Sequence, residues 1–199
     1  MKNWNAFYKK NFGILTDLPS KRLKEDGKLK LAIPPLSLQQ EFFVRTKIFL
    51  GQKTDMFVED KSYLKWLEWK LVLSPYTVGI SFLRDIKVTK RPKEGYYILV
   101  KDSKEISKKT MSSPLADMED RLEKQEVGLT FFEYLVLHVL RPKADSLYTN
   151  VALNSRLSDG KIICFGKNQG FKIINIFALP VNYKENNSQG TRGGIILPI

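Results

Sequence analysis

The last fifth of the chain, residues 155–199, alternates short apolar runs with turn residues, and this punctuation leaves room for strands but not for helices. Three runs (161–165, 171–178 and 194–197) are separated by Asp159-Gly160, by Asn168-Gln169-Gly170 and by Asn186-Asn187-Ser188-Gln189-Gly190. Runs of that length, rich in Ile and Phe and bounded by Gly, Asn and Asp, read as strands.

Upstream the periodicity changes to that of helices. Trp4, Phe7, Tyr8 and Phe12 share one helical face, with Asn3 placed to cap it and Gly13 to end it. Ser37 with Gln40 makes a capping box ahead of an apolar stripe that stops at Gly51, and Asp60 opens a third helix that Ser74-Pro75 ends near Leu73. A short acidic helix follows Ser113-Pro114. Thr130 with Glu133 forms a second capping box before FFEYLVLHVL, which is apolar almost all round and therefore belongs in the centre of the fold. Between these, the alternation over residues 78–88 and 96–100 predicts a two-stranded hairpin. The expected class is α+β: a helical N-terminal layer with a basic hairpin near residues 78–100, within residues 1–141. A strand-rich C-terminal module, residues 142–199, would pack on it. At 199 residues these are two small domains or one sizeable one.

Composition excludes several chemistries. The single cysteine, Cys164, forbids an internal disulfide and a cysteine-based zinc site, and the single histidine, His138, leaves His-dependent triads without parts. No phosphate loop, dinucleotide fingerprint or nucleophile elbow is present. No apolar run reaches the roughly 18 residues of a membrane span, and the N-terminus lacks the apolar segment of a signal peptide. A cytoplasmic protein with no membrane partner and no cofactor is the expectation, and a lack of catalytic parts favours binding over turnover.

The formal net charge is +12, carried by 25 lysines and 8 arginines. A lysine-solvated surface, with AT-rich coding favouring lysine, explains that balance more readily than a polyanion-binding face does. The strongest basic stretch, residues 84–109, holds nine basic and four acidic residues and two tyrosines. Arg84, Lys87, Lys90, Arg91, Lys93 and Tyr96 are its candidates for nucleic acid, with residues 21–30 as a possible basic arm. The arm reads more readily as a solvated linker, since no aromatic is interleaved in it. A weaker signal is Glu68-Trp69-Lys70 with Asp55 or Asp60 upstream. A metal-dependent nuclease needs such carboxylates around Mg²⁺ and a lysine beside the attacking water, but on a strand, whereas this segment reads as helix.

The C-terminal order of features resembles the formylglycine-generating, sulfatase-modifying-factor-like domains of the C-type-lectin-like fold. The residues that carry the resemblance are Asn154-Ser155-Arg156, the runs 160–165 and 170–177, and the closing stretch from Asn186 through Gly190-Thr191-Arg192-Gly193-Gly194 to Leu197. The resemblance implies a loop-rich β module used for binding a protein or a small ligand. Its oxidase members use a cysteine pair, which this chain lacks, so that activity is not implied. The ligand-binding candidates are Asn187, Arg192 and Arg156, with Arg192 set between glycines that would let a ligand approach the backbone.

Overall fold

The computed structural model describes residues 27–37, 39, 48–50, 56–58, 70–73, 86–101, 109–140, 149–168, 173–183 and 189–198. In chain order the strands are β1 (Lys28–Ile33), β2 (Ile48–Leu50), β3 (Met56–Val58), β4 (Lys70–Leu73), β5 (Lys87–Val88), β6 (Tyr96–Lys101) and β7 (Val127–Gly128). Then come helix α1 (Phe131–Leu140) and strands β8 (Thr149–Arg156), β9 (Ile162–Asn168), β10 (Ile173–Leu179), β11 (Gln189–Gly190) and β12 (Gly193–Pro198).

A four-stranded antiparallel sheet has the order β1-β6-β12-β7. Its strands follow from period-two alternation. In β1, Leu29, Leu31 and Ile33 are buried while Lys30 is exposed; in β6, Tyr96, Ile98 and Val100 are buried while Lys101 is exposed. The register opposes Leu29 to Val100, Leu31 to Ile98 and Ile33 to Tyr96, so all six stand on one inner face. The second sheet runs β11-β8-β9-β10-β4, with β5 also paired to β8; its β10–β4 and β11–β8 pairs are parallel.

Helix α1 lies between the two sheets. Residues 131–137 are all buried, as their near-continuous apolar character requires. Toward the second sheet, Phe131 and Tyr134 meet Phe165 edge to face, with centroids 5.5 and 5.0 Å away. Toward the first sheet, Glu133 accepts a hydrogen bond from the Tyr96 hydroxyl. The far face of the second sheet packs Val151, Leu153, Ile162 and Cys164 against Leu115 and Met118, from a 3-10 turn at Leu115–Asp117. The order of layers is therefore sheet, helix, sheet, turn segment.

This overturns the expected helical N-terminal layer. Among the described residues strands dominate, and α1 is the one α-helix whose full span is defined. Residues 36, 37 and 39 are helical, but Ile48–Leu50, expected inside the same helix, is a strand paired with Met56–Val58. Lys70–Leu73, expected at the end of a helix, is a strand beside β10. Helix periodicity there competes with aromatic and β-branched content that suits a sheet equally well, and long-range pairing decides between them. The expected hairpin does not form either: β5 pairs with β8 and β6 with β1 and β12, so the connection between them crosses from one sheet to the other. The acidic segment after Pro114 is the short 3-10 turn rather than an α-helix. The predicted helix at residues 3–13, the hairpin residues 78–85 and the segment 59–69 lie outside the described residues.

Candidate nucleic-acid interface

The crossing connection carries Arg91, one of the nucleic-acid candidates, into the interior. Lys90, just before it, takes a left-handed φ of 53°, which turns the chain inward. Arg91 Nε and Nη2 donate to the two Glu133 oxygens at 2.6 and 2.8 Å, and both side chains are essentially unexposed, at 1% and 0%. The Tyr96 hydroxyl donates to Glu133 Oε1 at 2.6 Å, and the Thr130 amide donates to Oε2 at 2.7 Å as the reciprocal half of the capping box. The other half, the Glu133 amide to Thr130 Oγ1 at 3.2 Å, also forms. Arg91 Nη2 reaches the Gly128 carbonyl, which Asn154 Nδ2 also bonds, and Asn154 Oδ1 accepts from Thr89 Oγ1. Burial works against the Arg91 charge, but Glu133, by charge and by hydrogen bonding, more than offsets it and holds the guanidinium above its ordinary value. Burial first, and then the Glu133 charge, push the Tyr96 phenol far above its usual range. Arg91 and Tyr96 thus join three layers of the fold, and neither presents a surface to nucleic acid.

Arg192 is likewise internal, with only 2% of the residue exposed. Its Nη1 donates to the Lys101 carbonyl at 2.8 Å, its amide donates to the Tyr134 hydroxyl at 2.7 Å, and its carbonyl accepts from the Leu129 amide. The flanking glycines admit protein rather than ligand. A methyl group at Gly194 would stand 2.6 Å from Ile98, and one at Gly193 would strike the Glu126 carboxyl. The exposed-turn role expected of Arg192 is replaced by one in core packing. Asn187 and Arg84 lie outside the described residues.

Of the remaining candidates, Lys87, Lys90 and Lys93 are exposed, and Lys90 pairs with Glu119 at 2.7 Å. Arg156 is half-buried at the end of β8, directly opposite Lys87.

The outer face of the four-stranded sheet brings together the two basic stretches that the sequence keeps apart. Antiparallel pairing of β1 with β6 sets Lys28 opposite Lys101 and Lys30 opposite Leu99. The Lys30 ammonium lies over the Tyr97 ring, 4.0 Å from its centroid. Tyr97, Leu99, Ile195 and Leu197 are partly exposed and, by register, share this face with the lysines. Two like charges directly opposite on a sheet repel. Here Glu123 relieves them: its carboxylate is bonded by Lys101, which with the Lys101 charge draws it below its ordinary value, and Lys109 and Lys28 add to the effect. The same bond raises Lys101. The face is thus a platform of one aromatic and three aliphatic side chains, with Lys30 over the aromatic ring and Lys28 and Lys101 at its end.

Sequence reasoning noted residues 21–30 and Tyr97 separately; the missed signal was the alternation in KLKLAI, where each lysine marks the outer face of a strand. Lys70, from the nuclease motif, opens a strand, while Asp55, Asp60 and Glu68 lie outside the described residues. Among the described residues no group of three His, Cys, Asp or Glu side chains is placed to hold a metal ion, and no helix is long and apolar enough to cross a membrane. No family model, curated protein or solved structure matches the chain.

Proposed function

We propose that the protein binds single-stranded nucleic acid on the outer face of its four-stranded sheet. The observation that carries this reading is the cross-strand placement of Lys28, Lys30 and Lys101 around Tyr97. Single strands are bound by this combination: cations follow the phosphates while an aromatic face accepts a base, without regard to sequence. An open sheet face suits splayed bases better than a duplex, whose bases are stacked away from side chains.

The test is fluorescence anisotropy of a labelled oligothymidine over a salt series. With three phosphate contacts the log–log slope is about −2, which means a loss of roughly 20-fold between about 50 and 200 mM salt. Lys28→Ala with Lys30→Ala brings the slope to about −0.7. Tyr97→Leu weakens binding by the ~1–3 kcal/mol of a stacked base and leaves the slope alone. Absence of binding at the lowest salt, or a double-lysine variant that binds like the wild type, overturns the proposal.

A further inference from the structure

A second cationic pair lies on the other sheet, and it differs from every other buried arginine contact described above. Lys87 and Arg156 are direct partners in the antiparallel β5–β8 pairing, so both side chains rise from the same face, close together. Arg156 is also opposite Ile162, whose side chain packs with Leu115 and Met118, so this is the face covered by the 3-10 turn. The neighbouring carboxylate there, Glu119, is engaged by Lys90 at 2.7 Å. The Arg156 Nη1 atom is buried and donates to no acceptor. Burial lowers the affinity of this guanidinium for its proton, with Glu119 the chief opposing influence. Arg91 and Arg192, by contrast, each have acceptors at hydrogen-bond distance. A buried guanidinium nitrogen without an acceptor is costly, and an oxyanion relieves the cost because its oxygens match the fork of N–H donors.

We infer that Arg156, with Lys87 beside it, forms a binding site for a phosphate group. Arg156 supplies the directional donors, Lys87 supplies charge at the exposed edge, and Glu119, held by Lys90, bounds the site on the side of the turn segment. The phosphate is either a free or terminal phosphomonoester or a phosphodiester within a nucleic-acid backbone; the chemistry recognised is the same. This site is separate from the outer face of the four-stranded sheet and stands without it.

Thermal unfolding in sodium phosphate against sodium chloride of matched ionic strength tests the site. For a Kd on the order of 1 mM, about 50 mM phosphate raises the wild-type melting temperature by roughly 5 °C. Arg156→Met abolishes that rise, and in chloride it melts at or above the wild type because the buried nitrogen it removes had no internal acceptor. Arg156→Lys, which keeps the charge but not the fork, retains a smaller rise and serves if the methionine variant does not fold. Lys28→Ala with Lys30→Ala keeps the full rise, which separates this site from the proposed sheet-face interface. Oligonucleotide titration of Arg156→Met assigns the source: weakened binding identifies a backbone phosphodiester, and unchanged binding identifies the monoester, provided the phosphate-dependent rise is lost. An equal rise in wild type and Arg156→Met, or no rise in the wild type, overturns the inference.

Discussion

Replacing Arg91 by methionine should remove a large part of the stability of the whole fold. The Glu133 carboxylate accepts four hydrogen bonds, two from Arg91, one from the Tyr96 hydroxyl and one from the Thr130 amide. Arg91→Met leaves it two, and no positive charge within the network. The Gly128 carbonyl keeps Asn154, so the damage concentrates on the carboxylate. Breaking one partner from a buried pair costs about 3–5 kcal/mol. With a urea dependence near the upper end for single domains, about 3 kcal/mol per molar, the midpoint falls by about 1–1.7 M. A triple variant, Arg91→Met with Glu133→Leu and Tyr96→Phe, removes the charge and its two side-chain donors together. It leaves the Thr130 amide as the one group of the network that loses its bond to Glu133. It should therefore be more stable than Arg91→Met alone, because replacing a buried pair by apolar groups is far less harmful than orphaning one member. Urea unfolding followed by circular dichroism measures both. A single variant within ~1 kcal/mol of wild type, or a triple variant no better than the single, refutes this account.

Two further outcomes follow from the same interior. Because the folded-state affinity of Tyr96 for its proton is raised above that of the unfolded chain, its contribution to stability is complete below pH ~10 and declines above it, by about 1.4 kcal/mol per pH unit. The gap in unfolding free energy between wild type and Tyr96→Phe should therefore narrow from pH 9 to pH 11, and a constant gap would show that the phenol ionises freely in the fold. Gly194→Ala should destabilise by about 1–3 kcal/mol in thermal melts, since its methyl would meet Ile98 at 2.6 Å in a packed layer.

Local chemistry was legible where it was self-contained. The capping box of Thr130 and Glu133 forms both of its bonds, and the helix it opens is buried as its composition demands. The apolar runs of the last fifth are strands β9, β10 and β12, and Gly160 takes the left-handed turn conformation that Asp159-Gly160 implies, with φ 84°. Pairing was not legible. Nothing local in Gly193–Pro198 says that this strand leaves β9 and β10 to lie between β6 and β7. Nor does the sequence around Arg91 reveal that an arginine in a lysine-rich stretch is the internal partner of a helix-capping glutamate 42 residues later. A capping box satisfied by backbone amides alone gives no sign that its glutamate also anchors the four-stranded sheet through Tyr96.

The two arginines drawn inward alter what the excess charge means. Arg91 and Arg192 were among the most attractive surface cations in the sequence, yet their guanidinium groups serve Glu133 and the Lys101 carbonyl. Among the described residues, two pairs of the remaining cations are arranged in register: Lys28 opposite Lys101 on one sheet, Lys87 opposite Arg156 on the other. A lysine coat that only solvates would gain nothing from such adjacency, since opposed like charges on neighbouring strands are unfavourable. Each pair also has a carboxylate close by, Glu123 and Glu119, each bonded to a lysine. A nucleic-acid phosphate at the first pair would compete with Glu123 for Lys101, whereas at the second it would meet a guanidinium nitrogen that no carboxylate engages. Binding by such displacement exchanges one anion for another, so it is modest in strength and sensitive to salt, and it orders no new side chains. Position in the register, more than the net charge of +12, is what distinguishes these cations among the described residues.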